Sequence, residues 1–178
     1  MRRRTALLAS ALLALAGTGL FTAPAHAVGG TVACTGSSST TYSPGLTNTA
    51  QSVTATTTNA YSSCLVVLGG GITGAVGNTT QFTSVRSCTD LLNPRSSTGT
   101  VQWDNATQST WAGTTTFVQQ GSVLVSETIA TVTSGPFNGQ TLDRTVAYAN
   151  ISALTACSSP GGLTSLPGGV LTLAVLPV

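Results

Sequence analysis

The chain is 178 residues long, 41% hydrophobic and only 6% charged, with four cysteines and one histidine. Abundant apolar residues at near-neutral charge exclude an intrinsically disordered chain. The scarcity of Lys and Arg removes the electrostatic term that nucleic-acid binding needs.

The N-terminus reads as a secretory signal. Arg2, Arg3 and Arg4 form a basic n-region, residues 6–15 an apolar stretch too short to span a bilayer comfortably, and Ala25-His26-Ala27 an A-x-A cleavage site. Residues 1–27 are therefore expected to be removed, leaving residues 28–178 as one secreted domain with no stable membrane insertion. The loss of Arg2, Arg3, Arg4 and His26 reverses the charge balance: Arg86, Arg95 and Arg144 remain against Asp90, Asp104, Glu127 and Asp143. Cys34 lies well beyond the apolar stretch, and Thr31 stands where a lipobox would place a Leu-like residue, so lipid anchoring is not expected.

Residues 29–34 open the mature domain as a strand, followed by a polar, loop-like stretch over 35–40. Pro44 and Gly45 spell a type II turn. Residues 51–60 alternate Thr with small residues around Val53, which suits a strand with one wet face. A short apolar run at 64–68 ends in Gly69-Gly70-Gly71, and residues 81–88 resume an extended pattern. Residues 90–94 make one helical turn or a tight loop, because Pro94 stops anything longer. Residues 99–149 then carry the strongest signal, a meander of four strands over 99–103, 110–118, 122–132 and 141–148. Its turns fall at Asp104-Asn105, Gln120-Gly121 and 134–139. After a Gly-rich loop at 158–162, residues 169–176 close the chain as a strand. No segment of ten or more residues in the mature chain has helical periodicity. These elements predict an all-β fold: an antiparallel β-sandwich, immunoglobulin-like in architecture, of eight or nine strands.

The four cysteines predict two disulfides in an oxidising compartment. Of the three pairings, Cys34–Cys88 with Cys64–Cys157 is preferred. Cys34 and Cys88 each end a strand-like run, whereas Cys64 and Cys157 sit in Ser-rich turns. No C-x-x-C spacing and no mature histidine support a metal site.

The chemistry is read mainly from what the mature segment lacks. Without histidine or lysine, and with all cysteines oxidised, no base can activate a serine or cysteine nucleophile. Gly69-Gly70-Gly71-Ile72-Thr73-Gly74 matches G-x-G-x-x-G, but no helix follows to face a pyrophosphate, so a turn is expected and no cofactor. Leu166-Pro167-Gly168-Gly169 resembles a wall-sorting signal without the basic tail. Asn78, Asn105 and Asn150 begin N-glycosylation patterns that carry no inference in a bacterial-style export protein. A carboxylate pair would suffice for a glycosidase. Asp104 belongs to a turn, and Asp143 and Arg144 point to opposite faces. Glu127 shares parity with Val123, Val125 and Ile129, an apolar face that would bury it beside Arg86 or Arg144 unless a bulge turned it outward. Trp103 alternates with Val101 as a core residue would, while Trp111 is open to either role. Trp103, Trp111 and Glu127 are therefore the candidate ligand contacts, with no catalytic, cofactor or metal residue assigned.

The order Val32-Ala-Cys-Thr-Gly36, Thr41-Tyr-Ser-Pro-Gly-Leu46, Tyr61-Ser-Ser-Cys64, Ser87-Cys-Thr-Asp90, Val101-Gln-Trp103, Val132-Thr-Ser-Gly135 and Ala156-Cys157 resembles a group of small secreted actinobacterial β-rich proteins. The resemblance implies an exported β-domain and assigns no site residues. A second comparison, with the enediyne-carrier apoproteins, shares the two-disulfide secreted architecture, but those proteins use closely spaced cysteines. The leading functional expectation is a non-enzymatic structural or interaction domain with a cell-wall or extracellular partner. A small-molecule or carbohydrate-binding module is the alternative, and a carboxylate-pair glycosidase comes third.

Overall fold

The computed structural model describes residues 30–149 and 153–178. The expected signal segment and cleavage site lie outside them, as does the Asn150 pattern. Among the described residues, nine strands and one short helix follow in order: β1 (Thr31–Leu46), β2 (Gln51–Val67), β3 (Ala75–Val76), β4 (Asn78–Arg86), β5 (Arg95–Trp103), β6 (Gln108–Gln120), β7 (Val123–Ser134), β8 (Thr141–Tyr148), α1 (Ala153–Cys157) and β9 (Leu163–Leu176).

All nine strands belong to one antiparallel sheet, in the order β3-β5-β6-β7-β8-β9-β1-β2-β4. The all-β class and the strand number match the expectation. The sheet curls almost into a barrel in place of two separately hydrogen-bonded layers. One edge is β4; at the other, two-residue β3 covers only Gln102 and Trp103 of β5, and where the rest of β5 approaches β4 the Asn78 side-chain amide donates to the Thr100 carbonyl across the gap at 2.9 Å. Curling protects edge groups that a flat sheet would leave open to intermolecular pairing.

The four-strand meander forms, with β5 and β6 longer than the expected 99–103 and 110–118 and its second turn one residue later than Gln120-Gly121. The turn between β6 and β7 is Gly121-Ser122, with Gly121 at φ 59°, a conformation suited to a tight hairpin. Two early expectations are overturned. Residues 35–40 are strand, part of a β1 that runs through to Leu46, so Pro44 and Gly45 do not end it in a turn. Pro44 sits where the β1–β9 register breaks, between Thr41 and Leu46, a place where a strand tolerates proline. Residues 35–40 lack apolar alternation because their inward side chains, Ser38 and Thr40, are buried against polar partners.

The disulfide pairing also differs from the preferred one. Cys34 bonds Cys64, and Cys88 bonds Cys157. β1 and β2 form a long hairpin in which Cys34 and Cys64 are cross-strand partners. A register shift beside Gly36 lets Tyr61 and Cys64 both face inward despite their odd spacing. The second bond ties the loop after β4 to α1.

Inward side chains form two apolar clusters. One gathers Leu46, Val53, Leu91, Phe117, Leu124, Val146, Tyr148, Leu163 and Leu171. The other gathers Val32, Val101, Trp103, Val132, Phe137, Leu142, Leu173 and Val175. Tyr61 packs against both.

Candidate ligand-binding site

Inward positions of the barrel's middle carry a different composition. Ser38 and Thr40 on β1, Asn59 on β2, Thr115 on β6 and Ser126 and Thr128 on β7 are all buried and polar. Most of their groups pair with other side chains, as buried polar atoms do. Thr115 and Thr128 share a hydrogen bond at 2.8 Å, as do Ser97 and Thr115 at 2.7 Å. Ser38 Oγ donates to Asn59 Oδ1 at 2.8 Å, and Asn59 Nδ2 donates to Asn78 Oδ1 at 3.1 Å.

This waist surrounds a cavity of about 530 Å³. The lining takes in consecutive β5 residues, Arg95 to Val101, together with Thr80, Gln81 and Phe82 of β4. Both faces of β5 border the space, which places its mouth along the gap between β4 and β5. A smaller hollow of about 300 Å³ adjoins it and shares Phe82, Arg86, Arg95 and Ser96.

Every arginine among the described residues lines the larger cavity: Arg86, Arg95 and Arg144. No Asp or Glu does, and Asp90 reaches only the smaller hollow. Arg144 projects from β8 with the same parity as Leu142 and Val146. Its Nη2 donates to Asn59 Oδ1 at 2.6 Å and to Ser38 Oγ at 3.1 Å. Its Nε is buried with no hydrogen-bond partner. Arg95 lies over the Phe117 ring, 4.7 Å from the centroid, and Arg86 over Phe82 at 5.2 Å, both in cation–π geometry.

Burial tunes these groups. Desolvation lowers the Arg95 pKa, and the neighbouring charge of Arg86 lowers it further. Desolvation pushes Tyr42 up to about 12, against the opposing pull of Arg95. Tyr61 is raised by burial and partly restored by Arg144. The titratable lining groups are arginines and tyrosines. The site therefore presents fixed positive charge, hydroxyl and amide groups, and aromatic faces.

The three candidate contacts separate in space. Trp111 lines the cavity. Its ring lies across Gly99, where an added Cβ would come within 2.4 Å of it, so the glycine is what admits the indole. Trp103 is 1% exposed in the second apolar cluster, edge-on to Phe137 at 5.2 Å, with its Nε1 donating to Ser109 Oγ at 2.8 Å. Glu127 is exposed on the barrel's outer surface with no bulge in its ladder, since it pairs in register with Thr116 and Thr145. The expected faces of β7 are thus inverted. Ile129, on Glu127's side, is 47% exposed, while Ser126 and Thr128 point inward. Asp104 is also exposed, its pKa lowered by hydrogen bonds from the Thr73 hydroxyl and backbone amide.

The sequence reading missed Arg95 and Arg144 as site residues. The available signal was parity. Arg144 alternates with Leu142 and Val146, and Ser126 with Leu124, which marks a charge and a hydroxyl on core-facing positions.

In comparisons with protein-family models, curated proteins and solved structures, none matches the chain.

Proposed function

We propose that the protein is an exported small-molecule-binding module whose site is the interior of the curled sheet. The observation that carries the reading is the cavity of about 530 Å³ at the waist. Small-molecule sites commonly measure about 300–1,000 Å³ and combine apolar walls with a few placed polar groups. Here Phe117, Trp111 and Val101 supply the walls, and Asn59, Thr128 and the arginines supply the polar groups. The basic, apolar and A-x-A segments of the N-terminus support export, and two disulfides with no free cysteine among the described residues suit an oxidising compartment.

The test is a fluorescence titration with N-phenyl-1-naphthylamine, a neutral aromatic probe that brightens on leaving water. The wild-type protein is expected to bind it saturably. Ser126→Phe, which fills the cavity from β7, is expected to abolish binding while the thermal transition stays cooperative. Absence of saturable binding, or equal binding by the filled variant, would sink the reading.

A further inference from the structure

The cavity's charge goes further than its size. The three arginines along its wall have no carboxylate beside them in the lining. Burying a cation is costly unless an opposite charge or full hydrogen bonding compensates it. Arg144 is compensated only in part: its guanidinium is held by Asn59, Ser38 and the Tyr61 hydroxyl, all neutral side chains, and Nε is left over. Interiors rarely leave such a donor unused, and one that persists points to a partner from outside the chain. Arg86 and Arg95 stand where the cavity meets the smaller hollow, at the open edge, and each lies over an aromatic ring. Two cations at an entrance raise the local concentration of anions and draw them inward. The chain itself spends its carboxylates elsewhere. Glu127 and Asp104 are exposed, Asp90 accepts from the Ser87 amide in the loop after β4, and Asp143, half-buried, alternates with Arg144 onto the opposite face of β8, outside the lining.

We infer that the ligand is an organic acid, held with its anionic group against Arg144 at the waist and its apolar body between the Phe117 and Trp111 side of the cavity. This rests on the small-molecule reading above. A guanidinium offers parallel donors to the oxygens of a carboxylate or sulfonate, which suits an acid group better than any neutral one. Trp111, Phe117, Tyr42 and Val101 supply the apolar wall that such a body would cover. A free inorganic anion would leave that wall uncovered.

The test compares two probes with the same ring system, 8-anilino-1-naphthalenesulfonate and the neutral N-phenyl-1-naphthylamine, titrated into the purified protein at low ionic strength. The sulfonate is expected to bind about tenfold or more tighter, the range of a charge-assisted hydrogen bond. Arg144→Gln is expected to remove that advantage, bringing the ratio of the two affinities to within about twofold of one. Ser126→Phe should lose both probes. Equal affinity of the two probes for the wild type overturns the acid assignment and leaves the binding-module reading standing. Failure of both probes overturns both readings. An undiminished sulfonate preference in Arg144→Gln overturns the placement at Arg144. Should that variant fail to fold, the wild-type affinity ratio and its loss in Arg95→Gln decide the acid assignment without it.

Discussion

Trp103 and Arg144 both occupy inward positions of one sheet, yet their surroundings are built on opposite principles. Around Trp103 the interior is filled: the indole meets Phe137 edge-on, and its single polar atom is satisfied by Ser109, whose hydroxyl in turn donates to the Pro136 carbonyl at 2.6 Å. Around Arg144 the interior is hollow, polar and incompletely paired. The end of the barrel supplies stability through close packing. The waist gives up packing to keep open space and unspent donors. Core and site here are adjacent layers of the same strands, separated by one or two residues along each.

The contrast can be broken most severely at Trp103. Trp103→Ala is expected to cost about 3–5 kcal/mol of unfolding free energy, read from the urea midpoint, because it leaves a void in a packed cluster. A loss under about 1 kcal/mol would mean that this end is as loosely packed as the waist.

Tyr42 sits on the boundary, a member of the first apolar cluster whose ring also lines the cavity. Its pKa is raised by burial from an ordinary 10.0 to about 12. The folded state therefore holds the phenolic proton more tightly than the unfolded state does. The associated stability is fully present below about pH 10 and is lost as pH rises toward 12. The loss amounts to about 2–3 kcal/mol for a shift of that size. Denaturation followed between pH 9 and 12 should show the decline, and Tyr42→Phe should lessen it, leaving the share of Tyr61, which burial also raises. An equal slope in the variant would assign the effect to other groups.

At the waist, Asn59→Ala is expected to cost about 1–2 kcal/mol, since it strands the partners on Ser38, Asn78 and Arg144 together. Chemical denaturation gives the stability, and the same variant should alter sulfonate binding, whereas Trp103→Ala should alter binding only through folding. If Asn59→Ala leaves both unchanged, solvent already serves these groups and the waist is wetter than its hydrogen bonds suggest.

The same contrast explains what could be read from sequence. The meander was legible because its turns carry Asp104-Asn105, Gly121 and the Gly135 to Gly139 segment, all local signals. Residues 35–40 were not, since their alternation is hydroxyl against hydroxyl. On β7 the periodicity was correct but its sign was wrong. Val123, Val125 and Ile129 face outward or partly so because the inner positions 126 and 128 serve a polar cavity. Face assignment by hydrophobicity assumes a dry interior, and this one is dry only at its ends. The cysteine pairing failed for a different reason: it depends on which strands are neighbours, and β1 lies against β2 along nearly its whole length. A sandwich and a barrel of nine strands share the same local signals and differ only in long-range pairing.

That pairing has a consequence for how the enclosure is closed. β9 is the last strand in the chain, yet it lies between β8 and β1 and is paired to both. Without β9, β4-β2-β1 and β8-β7-β6-β5-β3 are two separate ribbons with no ladder between them. Each has one edge, β1 or β8, that only β9 covers. The closing residues of the chain, Leu163–Leu176, convert two unfinished ribbons into one enclosure. The binding space thus depends on β9, and a chain cut short before Leu163 would retain the arginines but have no chamber to hold them in.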